Sequence, residues 1–300
     1  MSTDTDLRPG PARDAPPAPR AARRRRSFRP PRANYPAGVG AFVWLVIVVV
    51  PLYILVASTL QSRQEYLDNG PLSLPDSLSF DSYRQVLEGD FPRYLLNTLI
   101  VTASCAALVL TLAVTVSYSI VRTRSRLSQR AFQLFLLGLA IPSQAVIIPI
   151  YLIITELSLY DTLLAIILPT AAFSLPVSVL ILVGTMRDIS EELYESMALD
   201  GANSVRVLFQ LVIPMSRAGI STAGVFSALS AWNGFLFPLI LTQSRETRVL
   251  TLGLYDFVGE FRVDIPALLA AVVLSIVPIF TAYLFARRQL INGLMGVGGK

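Results

Sequence analysis

A chain of 300 residues that is 53% apolar, only 15% charged and devoid of histidine does not have the make-up of a soluble domain, which carries about a quarter charged residues. The single cysteine, Cys105, lies in an apolar run and excludes an internal disulfide or a thiolate metal cluster. The net charge of +5 comes from the N-terminus, and the composition as a whole predicts a membrane protein.

In chain order, residues 1–37 hold nine arginines and eight prolines, including the run Arg23–Arg26. Such a segment cannot bury a core and is expected to be a disordered cytoplasmic tail. Phe28 is the single aromatic residue among the arginines and no folded reader accompanies them, so nucleic acid is not an expected partner. Retention of positive charge on the inner side of a membrane is the simpler reading. The remainder, 38–300, is expected to form one membrane-embedded domain.

Six stretches of more than 20 residues contain no charged residue: 33–62, 94–121, 131–155, 162–186, 218–244 and 265–286. A helix needs about 20 predominantly apolar residues to cross a bilayer, and every stretch meets that length. None shows the strict alternation of a barrel strand. The expected fold is therefore all-α, with six transmembrane helices. Counting Lys and Arg in alternate connections gives 19 on the side of the termini and 6 on the other. By the positive-inside rule both termini are expected in the cytoplasm. The spans contain no Asp, Glu, Lys, Arg or His, which weakens an ion-driven carrier, because such carriers usually keep one. Prolines 51, 142, 149, 169, 176, 238 and 278 fall within the runs and are expected to kink them.

Asn97, Tyr118, Trp232 and Asn233 are polar or aromatic positions in the spans. Asn97, Trp232 and Asn233 are candidates for the substrate pathway, the alternative being packing or hydrogen bonding between helices. Tyr255, Asp256 and Phe257 are expected outside, where a binding protein could meet them. An enzyme is not indicated: histidine is absent, and so are a phosphate-binding loop, a metal cluster and a nucleophile elbow.

Residues 185–217, between the fourth and fifth runs, are too polar to enter the bilayer and spell helix, turn, helix. Ser190 is placed to cap the first helix, with Glu191 and Glu192 at its positive end. Tyr194, Met197 and Ala198 share a face. Asp200-Gly201 ends the helix, the glycine supplying a left-handed residue. Asn203 is placed to cap a second helix, whose Val205, Leu208, Phe209 and Val212 are expected to form one apolar stripe, and Pro214 to stop it. The pair is expected to lie along the inner membrane surface with an acidic edge free for another protein.

Glu195-Ser-Met-Ala198-Leu-Asp200-Gly201-Ala202, followed by Phe209 and Pro214, resembles the cytoplasmic "EAA" loop of ABC-importer permeases. Ser196 and Met197 stand where alanines are commoner in that family. "NTLIVT" from Asn97, "LSLYDTLLAIILP" from Leu157, "AWNGFLFPLIL" from Ala231 and the Gly-rich ending are similar to the carbohydrate-uptake branch, specifically the subunit type seen in the maltose importer's second permease. Gly234 occupies a position that is often acidic there. The resemblance implies a bacterial-type inner-membrane, multi-pass subunit that forms half of a translocation pathway. Its partners would be a second permease subunit, a cytoplasmic ATPase dimer, an extracytoplasmic sugar-binding protein and membrane lipid. Glu195, Ala198, Asp200, Gly201, Ala202, Phe209 and Pro214 would couple it to the ATPase. The chain itself would hold no cofactor, ATP and magnesium being bound by the partner. A stand-alone secondary carrier, or an ABC permease for amino acids or phosphate, are the competing readings.

Overall fold

The computed structural model describes residues 35–123, 125–258 and 263–297, with side chains through Ala282 and at Leu284. The regular structure of the described residues is helical, apart from one isolated bridge between Val258 and Val263. The segment 1–34, most of the expected tail, lies outside the described residues; Tyr35–Ala37 already belong to the first helix. Contacts divide the chain into two units, residues 1–47 and 48–300.

Helix α1 (Tyr35–Thr59) is apolar throughout and includes Pro51. Two short helices, α2 (Arg63–Asn69) and α3 (Asp81–Glu88), follow in the first connection. Helix α4 (Phe91–Thr123) spans 33 residues, about 50 Å at 1.5 Å per residue. Helix α5 (Arg126–Gly138) is separated from α6 (Ile147–Glu156) by a single-turn helix at Ser143–Val146, and the two are bent by 95°. Helix α7 (Leu163–Arg187) carries Pro169 and Pro176 internally. Helices α8 (Glu191–Leu199), α9 (Ser204–Val207) and α10 (Ile213–Met215) form the connection to α11 (Arg217–Trp232). The chain closes through α12 (Leu236–Leu241), α13 (Leu250–Gly253) and α14 (Ile265–Val297).

Among the described residues, four helices are long and apolar enough to cross a membrane, and a fifth crossing results if the bent α5/α6 pair counts as one. The expected run 131–155 is interrupted because Pro142 disfavours helical backbone at Ile141 and the break falls where Gly138 packs on Pro176. The expected run 218–244 is likewise split. Helix α11 stops at Trp232, and Asn233 and Gly234 fold back onto the carbonyls of Leu229 and Ala231 before α12 begins. The ending from Gly293, glycine-rich in sequence, continues as helix to Val297.

The core of residues 48–300 is the meeting of α4, α7 and α11. Cys105, Val109, Ala113, Ala171, Val179, Leu182 and Ala223 are among its buried residues. Small side chains allow close helix approach, which apolar lipid does not otherwise drive. Gly219 is the tightest case: a β-carbon there would stand 2.3 Å from Thr185 Oγ1. Several buried hydroxyls inside these helices satisfy themselves locally. Ser174, Ser178 and Ser227 donate to the carbonyls four residues back, at 2.9, 2.9 and 3.0 Å.

Candidate functional site

The chain leaves α7 at Arg187 and turns through Ile189, which is buried, into α8. Ser190 occupies the cap position, but its side chain makes no capping bond. Glu191 and Glu192 in the first turn supply negative charge where the helix dipole favours it. At the other end of α8, the N–H of Gly201 bonds the carbonyl of Ala198 and that of Ala202 bonds Met197, both at 3.0 Å. These two bonds close the helix in the pattern that requires a left-handed residue, and Gly201 has φ +71°. The Asn203 side chain then accepts from Arg206 N at 2.8 Å and caps α9.

The end of α4 grips both helices. The Arg122 guanidinium lies 4.2 Å above the Tyr194 ring and its Nη1 sits 2.9 Å from Glu191 Oε1. The Tyr118 hydroxyl donates to the Ser204 carbonyl at 3.2 Å. Tyr194 is 3% exposed and packs in one cluster with Ile120, Leu182, Met186, Val207 and Val212. Burial pushes its hydroxyl pKa upward, against the opposing charge of Arg122. Burying a side chain of this size is worth about 1.5–3 kcal/mol, whereas a half-exposed ion pair contributes about 0.2–1 kcal/mol. The Tyr194 ring therefore outweighs the ion pair in packing, although its buried hydroxyl has no hydrogen-bond partner among the described residues and offsets part of that gain.

The expected single stripe on the second helix divides in two. Leu208 and Val212 face inward with Val207, while Val205 is 63% and Phe209 61% exposed. A π-helical turn over Leu208–Val212 is the cause: Ile213 N bonds Leu208 O, five residues back, and the widened turn shifts the face away from a 3.6-residue period. Pro214 does not stop the helix, which runs through α10 to Met215 and turns at Ser216. Pro214 has no N–H to offer, and the π-turn accommodates that loss one residue earlier.

The expected coupling residues divide by exposure, and Ala202 packs against the buried cluster. Glu195, Ala198, Asp200, Gly201 and Phe209 are exposed, and Ala202 and Pro214 half-buried. Leu199, 90% exposed, joins them and was not singled out from the sequence; an apolar residue directly before Asp-Gly was the available signal. Exposed apolar side chains thus stand beside acids on helices whose other face is buried.

The opposite end of α4 is built for fixity. Asn97 is buried and its Nδ2 donates to the carbonyls of Glu246 and Arg248, 2.8 Å each. Thr98 Oγ1 accepts from Leu250 N at 2.9 Å. Trp232 is buried against Val86, Phe91 and Tyr94, and Asn233, which is exposed, donates from Nδ2 to the Leu229 carbonyl at 2.9 Å. Of the three pathway candidates, Asn97 and Trp232 are thus committed to the protein's own packing. Asp161, overlooked in the sequence, binds the same loop. Its Oδ1 accepts from Gln243 N, Ser244 N and Thr247 Oγ1 at 2.9, 3.0 and 2.6 Å. Burial alone would raise its pKa, but these donors outweigh that and hold it at about 2.

A multi-pass helical membrane protein with a helix pair that is packed on one face and open on the other is thereby defined. The chain matches the family described as binding-protein-dependent transport system inner membrane component over residues 109–290, and it belongs to that family. It is 34% identical to a putative ABC transporter permease protein, ORF2, of Caldicellulosiruptor sp. (strain Rt8B.4), over 84% of this chain and 92% of that protein. It is 31% identical to the diacetylchitobiose uptake system permease protein NgcG of Streptomyces coelicolor, covering 83% of each. The glucose import system permease protein GlcU of Saccharolobus solfataricus is 28% identical, over 85% of this chain and 91% of that one. The fold is shared with a chain in the crystal structure of a bacterial ABC transporter involved in import of the acidic polysaccharide alginate, with a TM-score of 0.75 at 19% identity, covering 85% of this chain and 95% of that one.

Proposed function

We propose that the chain is the permease subunit of an ATP-driven, binding-protein-dependent sugar importer, forming half of the translocation pathway beside a second permease subunit. Sugar is the substrate class named for the diacetylchitobiose and glucose relatives. The chain crosses the membrane six times in this reading, with α5/α6 as the third crossing and α11/α12 as the broken fifth. Both termini and α8–α10 lie in the cytoplasm, where 19 of the 25 Lys and Arg residues fall.

The observation that carries the reading is the uncovered face of α8 to α10. Glu195, Leu199, Asp200 and Phe209 stand free while Tyr194, Val207 and Val212 are anchored in the core. Such a unit is suited to being gripped by a cytoplasmic ATPase and to passing its motion into α4 and α7. ATP and magnesium would be held by that partner, with no catalytic site or cofactor in this chain. The alternation of access would be a rigid-body movement, and nucleotide could drive it only by differing affinity for the two states. An extracytoplasmic binding protein would deliver the sugar.

Reconstitution of the complete importer in vesicles tests this. Sugar uptake should require ATP, and Glu195→Lys should abolish it while both permeases remain assembled in the membrane. Solute movement by this chain alone, driven by an ion gradient, would establish a carrier instead.

A further inference from the structure

At the end of the helices remote from α8 lies a cavity of about 490 Å³, bounded by Phe235 and Leu239 on one side and by Gln243, Arg248, Leu252 and Tyr255 on the other. Small-molecule sites occupy about 300–1,000 Å³. The Phe235 and Tyr255 rings stack with centroids 5.9 Å apart and planes 29° from parallel. Both retain open area, 38% and 60%. Two sets of donors border the stack. Arg248 spends Nη1 on Asp256, and its other N–H groups have no partner among the described residues. The Gln243 side-chain amide likewise has none among the described residues.

The cavity walls are fixed by their backbones. Gln243 N is bound by Asp161 Oδ1 at 2.9 Å and the Arg248 carbonyl by Asn97 at 2.8 Å. Thr251 Oγ1 donates to Gly234 O at 2.7 Å, tying the loop after α12 to the break before it. A preorganised site loses less entropy on binding.

We propose that this cavity is a sugar-contact subsite belonging to this subunit, with the Phe235–Tyr255 stack taking the apolar C–H face of a pyranose ring and Gln243 and Arg248 bonding its hydroxyls. The proposal rests on the sugar-importer reading and adds where this chain meets the cargo. An acyl chain would fit the rings but leave the guanidinium and amide unsatisfied, which is costly. A free anion is disfavoured because Asp256 already neutralises Arg248. A sugar uses both halves of the lining, and the open rings make the contact weak enough for transit.

The test is uptake by the complete reconstituted importer with its own binding protein, screened with labelled glucose, melibiose, raffinose and N,N′-diacetylchitobiose. The sugar accumulated by the unaltered complex is then carried through the variants. Tyr255→Ala and Gln243→Ala should each slow uptake about three- to tenfold, the scale of one aromatic or hydrogen-bond contact. ATP hydrolysis stimulated by the loaded binding protein should stay within about twofold, and Tyr255→Phe should match the unaltered chain because only the ring is used. Unchanged uptake in Tyr255→Ala overturns the subsite. So does a parallel fall of uptake and ATP hydrolysis, or an equal loss in Tyr255→Phe. Accumulation of none of the four sugars would remove the sugar reading itself and this proposal with it.

Discussion

Asp161 shows how one side chain can organise a connection far away in sequence. It has φ +59°, which a short polar residue tolerates better than most, and its N–H bonds the Leu241 carbonyl at 2.9 Å. Its carboxylate collects three donors from residues 243–247. Asp161→Ala leaves two backbone N–H groups without their acceptor and should destabilise the assembled complex by about 1–3 kcal/mol, read as a lower unfolding temperature. Asp161→Asn keeps an acceptor oxygen and should lose less. The pH dependence follows from the lowered pKa. The contribution is fully present above the ordinary carboxylate value near 3.9 and disappears as pH falls through about 2. Unfolding temperatures of the native and Asp161→Asn chains should therefore keep a constant gap between pH 5 and 8 and converge only in strong acid. This residue was not legible in the sequence, because its role depends on residues 82 and more positions away. Asn97 was legible as a polar position in a span, open to a pathway or a hydrogen-bonding role, and its backbone partners, about as far off again, favour the second.

At the scale of elements, local signals were read well and irregular backbone was not. The left-handed Gly201 and the Asn203 cap follow from the chemistry of those residues and are found in place. The division of the Val205–Val212 stripe follows from a π-turn, which periodicity over so short a segment cannot reveal. Apolar length was equally legible for α1, α4, α7 and α14, whereas the breaks at Leu139–Pro142 and Asn233–Phe235 were hidden inside runs that counting charges treats as uniform. The seam between α7 and α11 offers a test of packing. Gly219→Val forces Thr185 and its helix away and should cost about 1–3 kcal/mol of stability. Gly224→Ala meets only the flexible end of Leu110 at 3.2 Å and should cost much less. Detergent-solubilised complexes compared by thermal unfolding would order the two.

For the molecule as a whole, the two ends of α4 do different work. One end binds the loop before α14 through Asn97 and Thr98, and the other holds α8 and α9 through Arg122 and Tyr118. A continuous helix of 33 residues joined to fixed groups at both ends is a physical route by which a movement at α8 could reach the remote cavity. The account therefore depends on α8–α10 being held by a separate motor on the inner side. A thiol at Asp200 tests this most directly, since Cys105 is fully buried and gives little background. In intact cells carrying Asp200→Cys, a membrane-impermeant maleimide should leave the chain unlabelled. In inverted vesicles the same thiol should react, and a short bifunctional reagent should join it to the ATPase subunit. Labelling from outside intact cells would contradict the account.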